Sequence, residues 1–253
     1  MYRPRLIPCL LIQGGDLVKT IGFSSPKYIG DPLHAVHLFN EFNADELILL
    51  DIKATKENRC IPIDFVRNVG EEANMPFSVG GGIKSLEEIR QLLEAGAERV
   101  VLGTVAAETP SFVCEASERF GKSTIAVCID IKYSFWGKQQ VVARNGQKVI
   151  STDVVGFAKE MERMGAGELL IQSVNKDGTY QGLELAVLQE VTQSVGIPVV
   201  GLGGLASLEE IRTIHPRTNL NGYAAGSLFI YQGKHRGVLV NYPSSDEVKK
   251  LFN

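Results

Sequence analysis

The sequence predicts a single closed parallel (β/α)8 barrel, a TIM barrel, over residues 1–253. Three observations predict it. Short apolar strands alternate with amphipathic helices along the whole chain, a pattern that calls for a parallel sheet covered on its outer face. The glycine motif Val79-Gly80-Gly81-Gly82-Ile83 returns as Gly201-Leu202-Gly203-Gly204-Leu205, with Gly203 standing 122 residues after Gly81. Glu46–Asp51 matches Glu168–Ser173 at the same offset, and Cys9-Leu10-Leu11-Ile12 matches Cys128-Ile129-Asp130-Ile131, 119 residues on. Two halves of four strands close naturally into a barrel with a pseudo-two-fold axis. An open doubly wound sheet gives no reason for such a repeat.

The elements follow in order. Arg5–Ile12 reads as a first buried strand. Gln13 to Asp31 is rich in Gly and Ser, contains Lys19, and reads as a long lid or binding loop. Pro32–Phe42 carries helical spacing through Ala35, Val36, Leu38, Phe39 and Phe42. Glu46–Ile52 is a strand, Pro62–Ala73 a helix and Phe77–Val79 the third strand. Ser85 with Glu88 three residues on is a capping box, which starts a helix over Leu86–Ala95. Arg99–Leu102 is the fourth strand, Ser111–Phe120 a helix and Thr124–Ile131 the fifth strand.

Tyr133 to Val149 alternates in polarity and carries Asn145-Gly146, a strong hairpin signal, so a two-stranded flap is expected after strand 5. Helix Val154–Met164, strand Glu168–Gln172, helix Glu184–Ser194 and strand Ile197–Leu202 continue the series. Helix Leu208–Ile214, strand Gly222–Ala225 and a closing helix over Asp246–Phe252 complete it. No linker or low-complexity segment interrupts it.

Composition narrows the function. Hydrophobic residues make up 44% and charged residues 22%, ordinary for a globular chain with a sizeable core. A net charge of −3 argues against nucleic acid or anionic lipid as partners, so any anion site must be local. Cys9, Cys60, Cys114 and Cys128 show no C-x-x-C spacing, so neither a zinc site nor a redox pair is indicated. No cofactor motif, signal pattern or long apolar span is present, and a cytoplasmic setting is expected.

The glycine loops suggest where a ligand sits. A strand, a glycine turn and a helix start present backbone N–H groups to an anion, although one such loop alone reads equally as a tight turn. Each copy is followed by a second small-residue motif. Gly81 and Gly82 are joined by Gly103 and Thr104, and Gly203 and Gly204 by Gly226 and Ser227. Two phosphate cups across one barrel mouth imply a ligand with a phosphate at each end. Chemistry in such barrels sits between them, at the C-terminal ends of the strands. The candidates there are Asp51, Asp130, Gln172, Ser173, Asp177 and Gly178, with Lys19 from the lid. Asp130 ends the apolar run Ile125–Ile129, where a carboxylate is costly unless it meets a polar mouth or a partner. It is either catalytic or a structural hydrogen-bonding group. Likewise, Asn175–Thr179 is either a plain turn or part of the mouth.

Taken together, these motifs resemble the cyclase subunit of imidazole glycerol phosphate synthase. The carriers are Val79–Ile83, Ile129-Asp130-Ile131-Lys132, Gly165-Ala166-Gly167-Glu168 and Lys176-Asp177-Gly178-Thr179, and the likeness runs to about the eighth strand. The resemblance implies a barrel that takes ammonia from a partner glutaminase and adds it to a bisphosphorylated substrate. It implies two acid–base aspartates, at the ends of strands 1 and 5. The second is Asp130, whereas Leu11 stands at the first. It also implies a charged ammonia gate at the closed end. Arg5, Glu46, Arg99 and Glu168 match that gate, with Arg99 in place of a lysine; by themselves they read as a salt-bridge ring of little worth.

Gln232–Leu239, including the basic run Lys234-His235-Arg236, departs from the cyclase pattern. Losing one acid–base group costs about 10²–10⁴-fold, so weak cyclase activity is expected unless Asp51 or a substrate group substitutes. Removing a negative charge near Asp130 is expected to ease its ionisation. Two classes of function follow. One is an enzyme: either the histidine-pathway synthase subunit, or a paralogue working with a sugar amidotransferase on surface polysaccharide. The other is a non-catalytic ammonia conduit that activates its glutaminase.

Overall fold

The computed structural model describes residues 3–233 and 235–252. Eight parallel strands form the barrel: β1 (Arg5–Gln13), β2 (Leu47–Asp51), β3 (Phe77–Gly80), β4 (Arg99–Leu102), β5 (Ile125–Tyr133), β6 (Glu168–Ser173), β7 (Val199–Leu202) and β8 (Gly222–Ala225). Each pairs with the next, and β8 returns to β1 through Arg5↔Gly222 and Leu6↔Tyr223, so the sheet has no open barrel edge. The closed barrel expected from the repeat is present.

The helices of the outer ring are α1 (Pro32–Glu41), α2 (Ile63–Glu72), α3 (Leu86–Glu94), α4 (Ser111–Phe120), α5 (Val154–Arg163), α6 (Leu185–Thr192), α7 (Leu208–Ile214) and α8 (Ser245–Phe252). Their starts follow local chemistry. Asp31 caps α1 by accepting from the N–H groups of Leu33 and His34, with Pro32 at the first turn. The Ser85–Glu88 capping box opens α3 with both reciprocal bonds formed. Its counterpart Ser207 accepts from the Glu210 N–H at the start of α7, while the Glu210 carboxylate turns away to the backbone of Leu183 and Ala206.

Two apolar layers hold the barrel. The larger lies between strands and helices and includes Leu6, Phe39, Leu47, Val100, Ile125, Leu169 and Tyr223. The smaller fills the barrel itself with Ile7, Cys9, Leu11, Ile48, Val101, Ala126, Leu170, Val200 and Ala224. Period two assigns alternate residues of each strand to the two layers, so Leu6 and Leu10 face helices while Ile7, Cys9 and Leu11 face the axis.

Several elements differ from expectation. Gln13–Asp31 is no loop. It folds as an antiparallel hairpin, Asp16–Ile21 with Ser24–Gly30, and its first strand pairs with the end of β1 through Leu11↔Val18. The turn residues that suggested a loop, Gly14, Gly15 and Gly22, supply the positive φ that the two reversals need. The two-stranded flap expected after β5 is present, and it extends the end of β5 itself. Strand Gln139–Ala143 pairs antiparallel with β5, and Lys148–Ser151 pairs with that strand in turn. Asn145-Gly146 does make the second turn, with both residues at positive φ. Two short helices, Thr104–Glu108 and Ser227–Ile230, follow β4 and β8, and a small hairpin joins Tyr231–Gln232 to Gly237–Val238. None is long enough to carry a periodic signal. Of the basic run near this hairpin, Lys234 lies outside the described residues.

Candidate active site

Four charges gather where the strands begin. Arg5 donates to both Glu46 and Glu168, bridging β1 to the residue before β2 and to β6. Arg99, at the start of β4, donates to Glu46 at 3.0 Å and lies 3.6 Å from Glu168. Its Nε donates to the Ser123 carbonyl, and Ser78 donates to Glu46. The result is a closed ring across the lower end of the barrel. Glu46 and Glu168 are buried, so this is not the surface set of pairs that charge counting alone suggests. Burial pushes the Glu168 carboxyl up, against the pull of Arg5.

At the other end of the barrel a cavity opens, enclosing about 860 Å³ with its mouth. Its lower wall includes Leu11, Leu50, Val101 and Cys128, and its polar groups include Asp51, Asp130, Gln172 and Thr104. Gly81, Gly82, Gly103 and Thr104 form one side together, because β3 and β4 are neighbours in register. Gly82, at φ +63°, packs its α-carbon against the Arg59 carbonyl with no room for a Cβ. The opposite glycine pair makes a smaller cup of about 280 Å³, lined by Gly203, Gly204, Gly226, Ser227, Asp177 and Gly178. Gly204, at φ +98°, likewise abuts the Gly182 carbonyl. Both glycine sets thus end at the same rim, one per half-barrel.

Asp130 projects from β5 beside Gln172 of β6, its partner in register. Burial pushes its carboxyl up to about 7, a hydrogen bond from Cys128 pulls the other way, and the Asp177 charge adds to the rise. Counting charges alone, the absence of an aspartate at Leu11 eases ionisation. In the folded chain desolvation dominates, and Leu11 is part of the wall that causes it. A carboxyl titrating near neutrality in a cavity can both accept and donate a proton.

Asp51 is differently placed. Its Oδ1 accepts from the N–H groups of Lys53 (2.9 Å) and Ala54 (3.1 Å), and its Oδ2 accepts from Arg59 (2.6 Å). With both oxygens committed, Asp51 shapes the rim. Ser173 is buried and donates to Glu184 at 3.4 Å, outside both cavities.

Lys19 is not on a lid. It sits in the strand paired with β1, buried, with Nζ donating to the Cys9 carbonyl at 3.4 Å and packed against Gly226. Burial lowers its pKa. Asp177 accepts from Thr20 of the same strand at 2.7 Å, so the loop after β6 and the first hairpin close together over the second cup.

Sequence reasoning missed Arg59, Cys128 and Tyr180, and it marked Arg236 only as part of a basic run without placing it. Tyr180 lines the second cup and carries the Arg236 guanidinium 4.9 Å from its ring centre. Cys128 was legible, since it stands two residues before Asp130 on one strand and so shares its face. The others come from loops whose paths no periodicity predicts. The flap contributes Asn145, which lines the first cavity and donates to the Ile52 carbonyl. Among the described residues, no group of three or more His, Cys, Asp or Glu side chains is placed to hold a metal ion.

Comparison with known proteins agrees with this architecture. Residues 5–236 match the family described as histidine biosynthesis protein. A Leptospira borgpetersenii protein, provisionally named imidazole glycerol phosphate synthase subunit HisF, is 38% identical over the full length of both chains. A Pseudomonas aeruginosa protein provisionally named subunit hisF2 of the same enzyme is 38% identical over 99% of each. The imidazole glycerol phosphate synthase subunit HisF of Streptococcus sanguinis is 36% identical over 91% of this chain and 92% of its own. On its barrel, its twin glycine rims and this full-length similarity, the chain belongs to the histidine biosynthesis protein family, as a divergent paralogue of the HisF cyclase subunit.

Proposed function

We propose that this chain is the ammonia-accepting subunit of a glutamine amidotransferase pair. A glutaminase docks over the strand N-termini, ammonia passes the Arg5–Glu46–Arg99–Glu168 ring, and a phosphorylated substrate receives it at the mouth. The observation that carries the reading is the coaxial arrangement: one charged ring with buried glutamates below, one half-buried carboxyl titrating near neutrality above, and the barrel axis between them. The Gly82–Thr104 and Gly204–Ser227 rims hold the two anionic ends of the ligand through backbone N–H groups, with Lys19 adding charge at the second. Asp130 is the single acid–base group. No cofactor or metal is needed for this chemistry.

Leu11 favours a second form of the same reading. An apolar residue facing Asp130 suits a paralogue whose barrel delivers ammonia to another acceptor, such as a sugar amidotransferase in surface-polysaccharide synthesis, or one that only conducts it and activates the glutaminase. The test is to supply the purified chain with ammonia and the bisphosphorylated ribulosyl carboxamide intermediate of histidine synthesis. Cyclisation supports the histidine-pathway form. Binding without turnover supports the paralogue. Failure to bind either the intermediate or a glutaminase removes the basis of both.

A further inference from the structure

Cys128 occupies a position that the reading above leaves without a role. Its side chain is half-buried against the barrel's inner cluster, in the wall of the cavity, between Asp130 and Gln172. The Sγ atom lies 3.5 Å from Asp130 Oδ1 and 3.5 Å from Gln172 Oε1. Both neighbours are acceptors, and a thiol has one proton to give. Among the described residues, no other side chain donates to the Asp130 carboxylate. The thiol stays protonated, because burial and the adjacent Asp130 charge both raise its pKa well above the usual value.

We propose that Cys128 is a positioning residue for Asp130, its one S–H proton moving between Asp130 Oδ1 and Gln172 Oε1 as Asp130 gains and loses its own. When Asp130 is a carboxylate, the S–H donates to it and offsets part of the desolvation. When Asp130 is protonated, it no longer needs that donor, and the S–H turns to Gln172. The proton goes to whichever acceptor carries the greater charge: Asp130 when it is ionised, and the Gln172 carbonyl when it is not. A lone carboxyl lacking the aspartate expected at Leu11 is thereby kept usable as both acid and base. No bond is made or broken at sulfur; only the direction of the S–H changes.

The surrounding charges do not supply this function. Asp177, from the loop after β6, raises the Asp130 pKa through its charge. Asp51 is bound to Arg59. Lys19 reaches the Cys9 carbonyl, and Cys9 is itself a protonated buried thiol. Lys132, next but one on the same strand, donates to the Gly146 carbonyl.

The inference rests on Asp130 as the acid–base group, but its test needs neither substrate nor partner, so the two fail separately. Infrared titration of the full chain reads the Asp130 carboxyl band, identified by its loss in Asp130→Asn, and the cysteine S–H band, identified by its loss in Cys128→Ala. The Asp130 midpoint is expected to rise by roughly half to one pH unit in Cys128→Ala, a threefold to tenfold change in proton affinity. Cys128→Ser, which restores a donor of similar reach, is expected to bring it back. In the native chain the S–H band should shift at the same midpoint, and in Asp130→Asn it should stay constant with pH. An unchanged midpoint in Cys128→Ala, or an S–H band indifferent to the Asp130 titration, overturns the proposal. Should Cys128→Ala not fold, the S–H response in native protein and Asp130→Asn decides by itself.

Discussion

Asp130 shows how burial sets chemistry at a single residue. Its carboxyl titrates at about 7 in the folded chain, against 3.8 ordinarily. A carboxyl whose pKa is raised by folding binds its proton more tightly folded than unfolded. Stability is therefore lost as pH climbs from about 4 through 7, by an amount on the order of a few kcal/mol. Asp130→Asn removes that loss, so the variant is expected to be more stable than the native chain above pH 7 and to lose this advantage near pH 4. Denaturant melts at the two pH values check this. The same substitution is expected to abolish any cyclisation. Leu11→Asp places a second carboxyl in the wall of the same cavity. It is expected to raise cyclisation above the native level and to push the Asp130 midpoint further up, through like charge. In Leu11→Asp combined with Asp130→Asn the gain should vanish. Robust native turnover in the ammonia assay would instead mean that another group carries the second proton.

At the level of elements, the two glycine rims look equivalent and respond to mutation differently. In Gly82→Ala the new methyl meets the Arg59 carbonyl, which is backbone, at a residue held at φ +63°. Loss of roughly 2 kcal/mol or more is expected, seen as a fall in thermal midpoint. In Gly226→Ala the nearest atom is the end of the Lys19 side chain, and φ is not positive. The lysine can move, so stability should change much less, while anion affinity at the second cup falls. Isothermal titration with inorganic phosphate, beside melting curves for both variants, separates the two outcomes. The flap is fastened to the short helix after β4. Arg144 makes a two-pronged contact with Glu108 at 2.7 and 2.9 Å, Lys148 adds a third at 2.9 Å, and their hydrogen bonds hold the Glu108 carboxyl down to about 2. Beyond that anchor, Phe135 and Trp136 stand 95% and 84% exposed at the tip.

For the molecule as a whole, the ring at the lower end is where folding and proposed function compete. Its two glutamates are buried and share two arginines, so removing one cation leaves charge without a full partner. Arg5→Ala takes away the arginine that hydrogen-bonds both glutamates, and a cost of about 3–5 kcal/mol is expected from chemical denaturation. Arg99→Ala leaves Arg5 in place and is expected to cost less. It should chiefly alter glutaminase-coupled ammonia transfer relative to turnover with free ammonia. An unchanged ratio of the two rates in Arg99→Ala would argue that the ring is structural only.

The barrel, the order of its eight strands and the pairing of its glycine rims follow from local pattern. Period two and period 3.6 are written residue by residue, and a half-chain repeat duplicates whatever the first half builds. Position along a strand also fixes which end of the barrel Leu11, Asp130 and the four ring residues reach, while the roles expected of Leu11 and of the ring came from the family resemblance. The histidine biosynthesis family was legible in contiguous motifs. Other features depended on distant segments meeting. Gln13–Asp31 became a hairpin because β1 runs past the barrel and offers an edge to pair with. Lys19 is buried because that hairpin lies against the second cup. Asp51 is held by Arg59, from the loop that follows its strand. Asp130 owes its proton affinity to a wall of side chains from several different strands. Desolvation is a sum over neighbours from the whole chain, and no window of sequence contains it; that is why the catalytic candidate was visible in one dimension and its chemistry only in three.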